Sequence, residues 1–167
     1  MAKSVVILAS ALCFFSLLGF AFCDDTRLFV EGSVYCDTCR TQFVTKISVF
    51  MQGATVRLEC RDREGGHITY SSEATTDANG AYRIVVDGDR EEEVCEVGLL
   101  KSSDPDCNEL SKDPFNKKGA RVSLTKNNGM SNPVRLANPL GFLKKQPVSD
   151  ECAGVLRELG MSASDIV

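Results

Sequence analysis

Eight cysteines and a single histidine are the residues of this 167-residue chain whose types suit site chemistry. Cys36-Asp-Thr-Cys39 forms a C-x-x-C, and further cysteines lie at 60, 95, 107 and 152. Such a pair has three uses: half of a zinc site, a redox couple, or structural disulfides. Zinc needs four ligands at close spacing. The later cysteines lie far apart, and His67 offers no second imidazole. A redox pair opens a helix inside a βαβ unit, where the helix end stabilises the thiolate; here the pair follows a strand-like run. The structural reading remains. Spacing alone leaves the pairing open, except that Cys36 and Cys39 are not expected to join each other across so short a loop.

No other constellation calls for catalysis. One histidine excludes His-based triads and multi-His metal centres, and no G-x-S-x-G elbow occurs. His67, beside Gly65-Gly66, reads as a solvent-facing turn residue. Asp87, Asp89 and Glu91 to Glu93 lack the ligand spacing of a calcium loop and read as a solvated acidic turn. A net charge of -4, with only Lys117-Lys118 and Lys144-Lys145 as basic pairs, supplies no field for nucleic acid. The expectation is a protein without catalytic residues, metal or cofactor.

The redox reading depends on compartment, and the N-terminus addresses it. Lys3 precedes an almost wholly apolar run, SVVILASALCFFSLLGFAF, over 4–22. A basic start and an apolar middle make a secretory signal peptide. Ala21 and Cys23 are small residues that suit a cut after Cys23. A cut after Ala21 would leave an odd number of cysteines. The cut after Cys23 removes Cys13 and Cys23 and leaves six, and secreted domains favour even counts. The expected organisation is a signal peptide over 1–23 and one secreted β-domain over 24–167. Neither a repeat nor a linker divides it. No N-x-[ST] sequon is present, so no N-glycan is expected.

Elements must position the cysteines. The segment 54–60 (ATVRLEC) alternates strictly, with Val56, Leu58 and Cys60 on one face. Segments 27–35, 67–71, 81–87, 93–100 and 121–126 also read as strands, separated by turn residues such as Asn79-Gly80 and Asn127-Asn128-Gly129. A long polar loop over 102–119 carries Cys107, and short apolar pieces lie at 134–136 and 140–143. A short helix over 151–159 is expected to be capped by Ser149 or Asp150 and to stop at Gly160. Hydrophobic content of 43% and charged content of 25% fit a globular domain. The fold class is all-β: a small antiparallel barrel or sandwich of about seven strands, with three disulfides and a short C-terminal helix.

Residues 31–40 read EGSVYCDTCR. With GATVRLEC, TTDANGAYRIVVDGD and VRLANPLGF further on, this closely resembles the olive major pollen allergen (Ole e I) family, which includes the tomato pollen-specific anther proteins. The motif positions are Glu31, Gly32, Val34, Tyr35, Cys36, Asp37, Cys39 and Arg40. The resemblance implies a secreted, non-enzymatic plant protein of barrel or sandwich form. It implies the pairs Cys36–Cys107, Cys39–Cys152 and Cys60–Cys95. It also implies allergenicity, and a role in pollen hydration, germination or tube growth, as an extracellular ligand or modulator of a receptor-like kinase. No nucleic-acid partner is expected, nor stable membrane insertion after signal cleavage. The alternatives are a protease inhibitor presenting the 102–119 loop and a cell-wall-associated structural protein. Within the motif, Tyr35 is expected to pack beside a disulfide. Asp37 and Arg40 are expected to form a local ion pair that fixes the loop; their other reading is a recognition surface.

Overall fold

A computed structural model describes residues 27–112, 119–147 and 149–162. The expected signal peptide over 1–23 and Lys117-Lys118 lie outside the described residues. Two sheets face each other across one apolar core. The first is organised around β1 (Leu28–Asp37). It pairs antiparallel with β2 (Val49–Phe50) and β5 (Ala81–Val86), and parallel with β8 (Val134–Leu136) and β9 (Leu140–Leu143). The second runs in the order β4 (Ile68–Thr75), β3 (Thr55–Asp62), β6 (Glu93–Lys101), β7 (Ala120–Val122), all antiparallel. Helix α1 (Ser149–Glu158) comes after β9.

Alternation builds the core. In β3, Val56, Leu58 and Cys60 are fully buried while Arg57, Glu59 and Arg61 face outward. In β5, Tyr82, Ile84 and Val86 point inward. Val30 and Val34 of β1 and Val97 of β6 complete the centre. Each such side chain contributes about 1.5–3 kcal/mol by leaving water. Beyond Gly32 the β1 pattern changes, because Val34 to Asp37 are all buried. That half of the strand is flanked by β2 and β9, so both of its faces are covered.

The sheets do not close, so of the two expected forms the fold is the sandwich and not the barrel; near the β4–β5 edges the Tyr70 hydroxyl bonds to the Val85 carbonyl at 3.2 Å. Two expectations are corrected. Nine strands, not about seven, occur among the described residues, because β2 and the two tail pieces also join the sheet. The tail strands run parallel to β1, whereas alternation suggests antiparallel pairing throughout. Alternation reports which face is buried and carries no information on direction.

Helix α1 begins two residues earlier than expected and ends one earlier, within the ordinary scatter of helix ends. Asp150 and Glu151 in its first turn and Arg157 in its last complement the helix dipole. Cys152, Val155 and Leu156 form its buried stripe. Gly160 (φ 70°) ends it: its N–H donates to the Arg157 carbonyl and that of Met161 to the Leu156 carbonyl.

Candidate functional site

The C-x-x-C lies where β1 runs out, and the structure joins Cys36 to Cys107, Cys39 to Cys152 and Cys60 to Cys95. The third bond links residues directly opposite in the β3–β6 register. The first two converge on one loop: Cys36 ties it to the 102–112 segment, and Cys39 ties it to α1. Sulfurs bonded to each other offer no thiolate for metal or redox work. The grouping of Glu93 with Cys60 and Cys95 is therefore no metal set.

Asp37 organises the loop that leaves β1. Its side chain is fully buried. One carboxylate oxygen accepts from the Thr41 hydroxyl (3.3 Å), the other from the Gln42 N–H (2.5 Å). Its own carbonyl accepts from the Lys144 N–H (3.1 Å). These bonds hold Arg40 and Gln42 at φ 60° and 66°, a region that non-glycine residues rarely adopt. Each such residue costs about 1–3 kcal/mol and persists only where its surroundings over-determine it. The expected local ion pair between Asp37 and Arg40 is replaced by a distant one. The Arg40 guanidinium meets Glu109 at 2.8 Å and the Lys144 carbonyl at 2.8 Å. The bond from Arg40 also holds the Glu109 carboxyl below its usual range.

Beyond the strained pair, the chain turns tightly. The Ser48 N–H donates to the Thr45 carbonyl (3.1 Å), and the Thr38 hydroxyl anchors the Ile47 carbonyl (3.2 Å). The turn leaves Phe43, Val44, Val49 and Phe50 around it with 41%, 41%, 60% and 47% of their surface exposed. On the other flank, Glu109 and Leu143 exchange two backbone bonds, and the Ser102 hydroxyl donates to the Cys107 carbonyl (2.7 Å). The described part of the 102–119 loop is thus laid down on β9.

The other motif residues serve the frame. Gly32 lies opposite Tyr82, and Gly141 opposite Tyr35. A methyl at Gly32 would stand 2.7 Å from the hydroxyl-bearing ring carbon of Tyr82; at Gly141 the distance to the same carbon of Tyr35 would be 2.6 Å. Each glycine lets a tyrosine ring lie flat on the sheet. Glu31 faces Arg83 at 3.3 Å, an exposed pair worth under about 1 kcal/mol. Burial, with the nearby charge of Asp37, pushes the Tyr35 phenol up to about 12. Burial raises Tyr82 further, and among the described residues its hydroxyl has no hydrogen-bond partner.

These shifts fix an alkaline expectation. An unfolded tyrosine ionises near pH 10. Between about 10 and about 12 the unfolded chain has released the Tyr35 proton and the folded chain has kept it, so stability falls as pH rises. Tyr82 adds a slope of the same sign. Urea midpoints measured across this range should fall less steeply for Tyr35→Phe than for the parent; an unchanged slope would contradict the buried phenol.

Sequence reasoning missed one further cluster. Arg135 is buried, and its guanidinium donates to the carbonyls of Ser123 (3.1 Å), Thr125 (2.8 Å) and Asn132. Asp89, legible in the sequence only as part of an acidic turn, receives the Lys126 N–H (3.0 Å), the Thr125 hydroxyl (3.1 Å) and the Glu91 N–H (2.9 Å). The Lys126 bond above all lowers its pKa. His67 sits exposed in the β3–β4 turn. The Arg135 and Asp89 groups brace loops.

The chain matches the family model described as "Pollen protein Ole e 1 like" over residues 15–160. It is 68% identical to an "Olee1-like protein" of Betula pendula, covering all of this chain and 99% of that one. It is 47% identical to the "Anther-specific protein LAT52" of Solanum lycopersicum, covering 96% and 97%. It is 49% identical to the "Pollen allergen Che a 1" of Chenopodium album, covering 95% and 94%. Among solved structures, the major plantain pollen allergen Pla l 1 superposes with a TM-score of 0.67 at 36% identity, over 74% of this chain and 98% of that one. An extended, motif-bearing β1, a disulfide-clamped loop at its end and similarity across nearly the whole length lead to one assignment: the chain belongs to the Ole e 1-like family of pollen proteins.

Proposed function

We propose that this protein is a secreted, non-enzymatic pollen protein that acts by binding a cell-surface protein, with the ectodomain of a receptor-like kinase as the partner class. The observation that carries this reading is the 38–50 loop. Two disulfides and a buried aspartate hold it in a strained shape, and four apolar side chains stand exposed on it. A pre-ordered apolar surface loses little entropy on binding. The names of the relatives place the family in pollen and anther and support allergenicity for this chain as well. An apolar leader and disulfides, which persist in oxidising compartments, support secretion. No helix among the described residues is long and apolar enough to cross a membrane.

The test is crosslinking of labelled, oxidised 24–167 protein to intact pollen-tube surfaces. The expected result is a discrete band lost on competition with unlabelled protein. Phe50→Ser, with Val49→Ser beside it, should weaken capture at least about tenfold while circular dichroism stays unchanged, as loss of an interface anchor does. Absence of a competable band would overturn the reading. Undiminished capture by the double variant would move the binding face elsewhere.

A further inference from the structure

The chain holds two Asn-Gly pairs, Asn79-Gly80 and Asn128-Gly129, and the fold treats them differently. In such a pair the glycine nitrogen can attack the asparagine side-chain carbonyl, because glycine has no Cβ to obstruct the ring that forms.

At Asn79 the reaction is blocked. The Gly80 N–H donates to the Asp77 carbonyl (3.0 Å), and the Asn79 N–H to the Asp77 carboxylate (2.8 Å). Gly80 is packed so closely that a Cβ there would stand 2.8 Å from the Met51 nitrogen, the Phe50 Cβ and the Val34 carbonyl. The nucleophile is engaged and the backbone cannot turn.

At Asn128 the obstacles seen at Asn79 are missing among the described residues. Asn128 and Gly129 are exposed, and a Cβ on Gly129 would meet nothing within 4 Å. Among the described residues nothing accepts the Gly129 N–H. The Met130 N–H donates to Asn128 Oδ1 (3.0 Å), which places a donor where negative charge develops during attack. Asn128 Nδ2 donates to the Ser123 hydroxyl (3.3 Å), which sets that hydroxyl beside the departing nitrogen.

We propose that Asn128 is a self-modification site, converting through a cyclic imide to aspartate and isoaspartate while Asn79 is protected. The Gly129 nitrogen bonds to Asn128 Cγ, the Cγ–Nδ2 bond breaks, and the Gly129 proton leaves with the nitrogen as ammonia. Water then opens the ring at either carbonyl. The product adds a negative charge near Glu91, whose carboxylate accepts from the neighbouring Asn127 side chain (2.5 Å). The isoaspartate form also inserts a carbon into the main chain between Thr125 and Asn132, whose carbonyls hold buried Arg135. Age would therefore change both the charge and the bracing of this loop.

The experiment incubates oxidised 24–167 protein at mildly alkaline pH and tracks intact mass, peptide maps and labelling by protein isoaspartyl methyltransferase. The reduced, unfolded chain serves as reference. In the folded protein Asn128 should convert at least about tenfold faster than Asn79, whereas in the unfolded chain the two rates should approach each other. Asn128→Gln should abolish the fast phase and leave the urea midpoint unchanged. Conversion of Asn79 at the rate of Asn128, slower conversion of Asn128 when folded than when unfolded, or an undiminished fast phase in Asn128→Gln would each overturn the proposal.

Discussion

Replacing Cys39 and Cys152 together by serine is expected to lower folding stability by about 4 kcal/mol. The two residues are 113 apart in sequence. With Cys36–Cys107 intact, the loop that the bond closes is much shorter, because the chain can be traced from 39 back to 36, across that bridge to 107, and on to 152. That path is roughly 50 residues, and the chain-entropy relation converts it to the figure above. The loss is a large share of the roughly 5–15 kcal/mol that typical domains retain. Helix α1 should be the first element to suffer. Its buried stripe is Cys152, Val155 and Leu156, and among the described residues the exposed Lys46–Glu158 pair also ties it to the clamped loop. Urea unfolding checks the magnitude, and hydrogen exchange checks the place. A loss under about 1 kcal/mol, or unchanged exchange protection in 149–158, would show that the bond is not what seats the helix.

The second large effect is expected at Asp37. Asp37→Ala removes the acceptor of the Gln42 N–H inside a buried site, while the Thr41 hydroxyl keeps the Phe43 carbonyl (3.1 Å), and the loss should cost about 1–3 kcal/mol. Arg40 and Gln42 then have less to hold them at positive φ, so the loop should relax toward ordinary backbone. Asp37→Asn keeps one carbonyl acceptor and should cost about half as much. The discriminating readout is partner binding: Asp37→Ala should reduce capture on pollen-tube surfaces even under conditions where the protein remains folded. Equal stability of the alanine variant and the parent would show that Asp37 does not hold the loop.

Much of the frame is legible in the residues because burial writes itself as alternation. Val56, Leu58 and Cys60 declare β3, and Tyr82, Ile84 and Val86 declare β5, since one face of each meets the core. The outer strand β4 is harder, because ITYSSEAT buries little, and only its first residues read as a strand. The direction of β8 and β9 is not legible: three- and four-residue pieces carry too few positions to reveal their neighbours. Arg135 is invisible as a core residue, because its acceptors are main-chain carbonyls assembled by the fold. The expected Asp37–Arg40 pair fails for a local reason: Asp37 turns inward to the loop backbone, and Arg40, at positive φ, reaches Glu109, 69 residues away. Cysteine spacing leaves the pairing open, and only family resemblance supplies one.

The exposure of the apolar loop is likewise legible only in three dimensions. Phe43, Val44, Val49 and Phe50 are apolar, and nothing in their spacing marks them as exposed. The tight turn at 45–48 and the strain before it are what hold them outside. Scattered exposed apolar residues need no explanation, and it is their grouping on one braced loop that the proposed binding surface uses.

The ligand reading stands or falls on an equilibrium binding isotherm of labelled, oxidised 24–167 protein on intact pollen tubes, run beside the same protein with its disulfides reduced and capped. Saturable binding, displaced by unlabelled protein and lost on reduction, is the predicted result. Linear, undisplaced uptake that is indifferent to the disulfides would contradict it.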